Sequence, residues 1–392
     1  MRVLLDCRPL QTTSRVRGLG SYLIQLAQEY LRLRPQGFDF YYLFWETGDV
    51  EKRELARLIG DTGESEILER SVYMPPNRWR KLGWLKDALF NRSAWLKAVR
   101  NVDLIHFPSI FELNLGWPGA SLTAPRVVTV HDLMPVTHAD MLLKGKHKLL
   151  KPVYKFQANL LNRADAIIFA SENTQREAAK ILRSQNLQRR ILHGAGERFT
   201  AASAEAVKAI REKYRLPEKF ILFLSGLSPN KNIINLLKAS KLAELPPLVV
   251  AGGYRPQDCL AFKQDYPEAI WLGAVPNEDV PPLYTACSLY VMPSLCEGFG
   301  LPLAEAMRCG APAACSDRPP MTEIIGDAGI LFDPLDPADI AAKLKEALQN
   351  PERLQSLRRK SLERGALFTF KNTALQTLEL YKTAVSEFNK KN

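Results

Sequence analysis

Short apolar runs alternate with stretches whose apolar residues recur every three or four positions, and the alternation continues along nearly the whole chain. The first run, RVLLD, passes through a polar loop ending RGLG into SYLIQLAQEYLRL, a pattern that predicts a strand, a turn and a helix. DFYYLFW, VDLIHFP, RVVTVHD and ADAIIFAS predict further strands, separated by a helical stretch from about Trp84 and by a long basic helix. After ILHGAGERF a polar helical segment ends at Leu216 and Pro217, and the pattern restarts with FILFLSG, PPLVVAGG, AIWLGAV and LYVMPS. Short apolar strands divided by helices belong to parallel sheets covered on both faces. The restart therefore predicts an α/β chain with two doubly wound, Rossmann-like sheets. Open parallel sheets bind ligands beyond the carboxyl ends of their strands, so two facing sheets would enclose a cleft. The expected domains are 1–195 and 196–370, with 371–392 as a final amphipathic helix that packs back on the first domain.

The length of 392 residues agrees with this division at about 150 residues per domain. With 46% hydrophobic and 24% charged residues the composition is that of a globular protein. No apolar run approaches the roughly 18 to 20 residues of a membrane span, and MRVLLDCRPL is too short and too charged for a signal peptide. A cytoplasmic location is expected. The six cysteines form no Cys-x-x-Cys pair and the five histidines show no metal-ligand spacing, so neither a metal nor a cofactor is expected.

The net charge of +11 changes the picture because much of it lies in two aromatic, basic segments, NRWRKLGWLKDALFNRSAWLKAVR and MLLKGKHKLLKPVYKFQANLLNR. In the first, Trp84, Leu85, Ala88, Leu89, Trp95, Leu96 and Val99 recur at helical spacing among Arg80, Lys81, Lys86, Arg92, Lys97 and Arg100, the pattern of a helix lying in a membrane interface. An ordinary core helix with a solvated basic face gives the same spacing. Peripheral association with an anionic membrane through 78–100 and 144–163 is the functional expectation set against it. Nucleic acid is not an expected partner, because no recognition module accompanies the charge.

Candidate chemistry centres on SLCEGFGLPLAE, in which Glu297 and Glu305 stand eight residues apart across a glycine-broken turn. Gly298 and Gly300 permit a tight turn after the strand, Pro302 suits the first turn of a helix, and Gly310 suits its stop. Exposed backbone N–H groups at that helix start favour an anion, and two nearby carboxylates can accept from hydroxyls. This combination suits a diphosphate carrying sugars at both ends. The plain structural alternative is a capping box of Ser294 and Glu297, with Glu305 solvated.

The full string resembles the donor-site signature Glu-x7-Glu of the retaining glycosyltransferases of family four, which have the GT-B fold of two Rossmann-like domains facing across a cleft. RGLGSY, VVTVHDLMP, ASENTQREAAKIL and SGLSPNKNI resemble other parts of the same family in the expected order, so the resemblance covers nearly the whole chain. It implies that Glu297 contacts the transferred sugar and Glu305 the ribose, with Lys231 on the diphosphate. It implies a catalytic set of Glu297, His131 and Lys231. The implied donor-binding residues are Gly18, Gly20, Gly226, Asn230, Lys231, Gly298, Phe299, Gly300, Leu301 and Glu305, and the implied acceptor or sugar residues are His131, Asp132 and His106. The implied reaction moves a hexose, mannose, glucose or similar, from a UDP- or GDP-sugar to a polysaccharide or lipid-linked saccharide.

The chain departs from the family at Asn230, where the usual Pro-Arg-Lys-Asn carries arginine. Arg318, Lys238 or another base could replace that charge. The alternative is a non-catalytic sugar-nucleotide-binding or scaffold protein of the same fold. A nicotinamide-dependent dehydrogenase is disfavoured, because Leu23 stands where Gly-x-Gly-x-x-Gly needs its third glycine.

Overall fold

A computed structural model describes residues 1–16, 18–60, 64–74, 92–112, 123–143, 145–183 and 186–391. The chain forms two compact units: Met1–Ala139, Gly145–His193 and Phe370–Asn392 in one, Asp140–Lys144 and Gly194–Thr369 in the other. The chain changes unit after His193 and returns to the first at Phe370.

The first unit holds a seven-stranded sheet built from β1 (Arg2–Asp6), β2 (Asp39–Trp45), β3 (Ser71–Met74), β4 (Leu104–Phe107), β5 (Arg126–Val130), β6 (Ala166–Phe169) and β7 (Leu187–Arg190). Its order is β3-β2-β1-β4-β5-β6-β7, and every pairing is parallel. Successive residues of β1 explain why its run is apolar throughout. Val3 and Leu5 enter one core, with Tyr22, Leu26 and Tyr30 of the helix Gly18–Leu33, whereas Leu4 enters the core on the other face, with Trp95 and Phe107. The final helix, Phe370–Lys391, lays Phe370, Ala374, Leu378 and Tyr381 into the first of these cores.

The second unit holds β8 (Ile221–Leu224), β9 (Leu248–Ala251), β10 (Ile270–Gly273), β11 (Leu289–Met292), β12 (Ala313–Ser316) and β13 (Gly329–Phe332), ordered β10-β9-β8-β11-β12-β13 and again parallel. Both sheets therefore reverse their direction of winding once, between β1 and β4 and between β8 and β11. Among the described residues no helix is long and apolar enough to cross a membrane.

Residues 78–91 of the first basic segment lie outside the described residues. The described part corrects the interfacial expectation. Trp95, on the helix Arg92–Ala98, and Val99 are buried, with the Trp95 ring 4.7 Å from the Arg8 guanidinium and 5.7 Å from Phe107. Arg8 is itself buried and pairs through two nitrogens with Asp6 at 2.8 Å, so the indole covers a neutralised charge instead of meeting lipid. In the second segment Leu149 is 80% and Phe156 is 45% exposed, beside Lys148, Lys151 and Lys155.

Gly18 and Gly20 open the helix Gly18–Leu33 but differ sharply in surroundings. A Cβ at Gly20 would lie 2.2 Å from the Arg15 carbonyl oxygen, whereas one at Gly18 would meet nothing within 4 Å. Gly20 thus lets the turn Thr13–Val16 pack against the helix start. Replacing Gly20 with Ala is expected to destabilise the fold by about 1–3 kcal/mol. Gly18→Ala should stay within about 0.5 kcal/mol. Urea unfolding of both variants measures the difference.

Candidate functional site

At the reversal between β8 and β11 the loops that follow these two strands touch at the carboxyl edge of the second sheet, where open parallel sheets hold ligands. The loop after β11 runs through residues 293–300 to the helix Leu301–Arg308. That helix has Gly300 as its N-cap, at φ +100, with no side chain capping it and Pro302 in its first turn. A residue with a Cβ would be strained at this φ. The capping-box alternative is excluded, because Ser294 and Glu297 precede the true N-cap and lie in the loop.

The loop after β8 carries Lys231, whose Nζ lies 2.6 Å from Glu297 Oε1. The two side chains are 19% and 9% exposed, so the ion pair is largely screened from solvent. An asparagine on each side of Lys231 ties its backbone down. Asn230 is buried, accepts from Ser228 Oγ at 2.7 Å and donates to Cys296 O at 3.3 Å, and its own carbonyl accepts from Leu295 N at 2.7 Å. Asn232 sits at φ +54, a conformation asparagine tolerates, and donates to Pro293 O at 3.0 Å and to Pro334 O at 2.7 Å. Asn230 is therefore a tie between the two loops, and its side chain is committed to polypeptide atoms. Asn232 escaped the sequence reading because nothing in PNKN separates an interior amide from a surface one. Lys238 is exposed on the helix Ile233–Leu242, and Arg318 follows β12.

Glu305, on the Leu301–Arg308 helix, is half-buried and in reach of the Tyr284 hydroxyl at 3.4 Å from Oε2. Loss of solvation raises its carboxyl from the ordinary 4.5 to about 8, an effect that the Arg198 guanidinium and the Tyr284 hydroxyl only partly offset. Arg198, exposed and stacked 4.8 Å from Phe199, is the cation nearest in effect to Glu305, and the sequence offered no motif to mark it. Phe299 is buried with its ring 6.0 Å from Phe368, which anchors the loop just before Gly300. Gly226 has open space where a side chain would be, and Leu301 opens the helix. Gly298 lies between Glu297 and Phe299 in the same loop.

The remaining candidates lie in the first unit. His131 Nε2 donates to Pro108 O at 2.7 Å, which leaves Nδ1 to accept from His193 Nε2 at 2.9 Å. Burial lowers His131 to about 4, so it is neutral at physiological pH with both ring nitrogens engaged. His106 is fully buried. Its Nδ1 accepts from Tyr381 at 2.6 Å and its Nε2 lies 2.8 Å from Thr129 Oγ1, while burial, with the charge of His131, lowers it to about 3. Tyr30 donates to Tyr381, so a chain of hydroxyls and imidazole joins the final helix to β4 and β5. Asp132 Oδ1 accepts from Met134 N at 2.9 Å and holds the start of the helix Met134–Thr137.

Two family models match the chain: Glycosyltransferase Family 4 over residues 16–186 and Glycosyl transferases group 1 over 207–364. The serotype-specific mannosyltransferase WbdA of Escherichia coli is 31% identical over 97% of this chain and 48% of its own length. The chain thus spans about half of that relative. O-antigen chain mannosyltransferase B of Escherichia coli is 29% identical over 65% of this chain and 70% of its own. Among solved structures, sucrose-phosphate synthase from Thermosynechococcus elongatus superposes with a TM-score of 0.74 at 20% identity, over 99% of this chain and 100% of that one. That likeness establishes the GT-B fold.

A carboxyl that folding raises from 4.5 to about 8 keeps its proton longer in the folded chain, so its contribution is favourable at low pH and is lost as pH climbs through that window. Glu305→Gln removes this loss. The variant is expected to match the parent near pH 5 and to exceed it on the order of 2 kcal/mol near pH 8.5 in urea unfolding. Parallel pH profiles would show that Glu305 ionises like an exposed carboxyl.

Proposed function

The chain belongs to the glycosyltransferases of family four, the glycosyl transferases group 1, and from that premise we propose that it transfers a hexose from a UDP- or GDP-sugar to a saccharide acceptor with retention at the anomeric carbon. The observation that carries this reading is the meeting of Lys231 and Glu297 beside the start of the Leu301–Arg308 helix. Lys231 supplies a point charge for the departing diphosphate, and the first-turn N–H groups of the helix add to it. Glu297 accepts from hydroxyls of the transferred sugar, and Glu305 accepts from the ribose. No metal enters this reading.

Mannose is the hexose we favour, because the two Escherichia coli relatives are mannosyltransferases and the second is a transferase of the O-antigen chain. A polysaccharide or lipid-linked saccharide is then the acceptor. His131 is assigned no proton transfer, since Nε2 donates to Pro108 O and Nδ1 already accepts from His193. In a retaining reaction on one face of the sugar, the leaving phosphate takes the acceptor's proton. The non-catalytic alternative was motivated by Asn230, and that motive weakens once the amide is seen to tie two loops together.

Turnover is expected with a GDP- or UDP-hexose, GDP-mannose first, and should persist in EDTA. Glu297→Ala is expected to reduce transfer by about 100-fold or more in a chain that still melts cooperatively. Undiminished transfer would sink the role given to Glu297. For the membrane part of the reading, Leu149 and Phe156 among their lysines form the candidate contact. The chain should float with anionic liposomes at low salt, and Leu149→Glu with Phe156→Glu should abolish flotation.

A further inference from the structure

Resting on the donor-site reading above, we propose that Glu297 occupies Lys231 in place of the donor's diphosphate when the site is empty, so that the pair discriminates the nucleotide sugar from the bare nucleoside diphosphate. At 2.6 Å the ammonium and the carboxylate are in direct contact, and both side chains are largely shielded from water. A charge in such a place is costly to leave without a partner. A diphosphate that reaches for Lys231 must therefore take the lysine from Glu297.

What happens next depends on the rest of the ligand. The nucleotide sugar brings hydroxyls, which donate to the released carboxylate and replace the lost ammonium. A bare nucleoside diphosphate brings none there, and Glu297 is left shielded and unsatisfied. The geometry around the pair suits this exchange. Asn230 and Asn232 hold the backbone on either side of Lys231, while the lysine side chain keeps its flexible stem and can turn from carboxylate to phosphate without moving the loop. Glu297 is likewise held at its own base, because Leu295 N and Cys296 O are both bonded to Asn230. The moving parts are two side-chain ends. The consequence is weak retention of the nucleoside diphosphate after transfer, with no separate gate needed to expel it.

The test is a double-mutant cycle read by calorimetry with GDP and UDP and with the corresponding hexose nucleotides, on the parent, Glu297→Gln, Lys231→Ala and the double variant. Glu297→Gln is expected to tighten the nucleoside diphosphate by about tenfold, and to leave the nucleotide sugar unchanged or weaker. In the Lys231→Ala background the tightening should vanish, because the contested lysine is gone. Tightening of the same size with and without Lys231 would mean that Glu297 merely repels anions, and it would overturn the proposal. So would equal affinity of parent and Glu297→Gln for the diphosphate. Failure of all four folded proteins to bind any of the nucleotides would overturn the donor-site reading together with it. Melting curves establish folding, and Lys231→Gln replaces Lys231→Ala if the latter does not fold.

Discussion

A parallel sheet that reverses its winding has one place where neighbouring strands send their chains to opposite faces, and in the second unit that place lies between β8 and β11. Everything chemical in this unit hangs on it. The loop after β8 and the loop after β11 approach there with unpaired backbone groups, which folding must satisfy. Asn230 and Asn232 do so with side-chain amides, bonding to Cys296, Pro293 and Pro334 carbonyls. The residue between them, Lys231, is then presented toward Glu297 with little freedom in its backbone.

The same reversal between β1 and β4 in the first unit is filled in a different way. His106 of β4 spends both nitrogens on Tyr381 and Thr129, and His131 spends both on Pro108 and His193. Burial keeps both imidazoles neutral, which lets each act as one donor and one acceptor in a closed set of partners. These histidines stand at strand ends, where a ligand group is also expected, but their hydrogen bonds bind the final helix and the strand-end loops to the sheet.

The main strands were legible because buried parallel strands are apolar on both faces, as Val3, Leu4 and Leu5 illustrate by entering two different cores. Among the described residues four strands went unread. Leu187–Arg190 is polar, and Ser71–Met74 and Gly329–Phe332 are only partly buried, as edge strands can be, while Ala313–Ser316 is built from small residues. The loop chemistry after β11 was legible from the glycines, since only glycine is comfortable at the φ of Gly300. The meaning of Asn230 was not, because a position that looks like a missing charge in one dimension is an interior tie in three. Trp95 misled for a similar reason: spacing marks the apolar face of a helix but cannot tell whether lipid or a buried arginine lies against it.

The two glutamates that frame the site have different surroundings, and the difference follows from position. Glu297 lies in the loop, where a lysine from the neighbouring strand's loop reaches it at 2.6 Å. Glu305 lies on the helix, half-buried beside Tyr284, and loss of solvation raises its carboxyl to about 8. On the proposed reading, a ligand must draw the cation from the first and replace it with hydroxyl donors, and must also supply donors to the second. A bare nucleoside diphosphate takes the cation and brings its ribose to the second but leaves the first unsatisfied, whereas a diphosphate bearing a sugar at each end meets every demand.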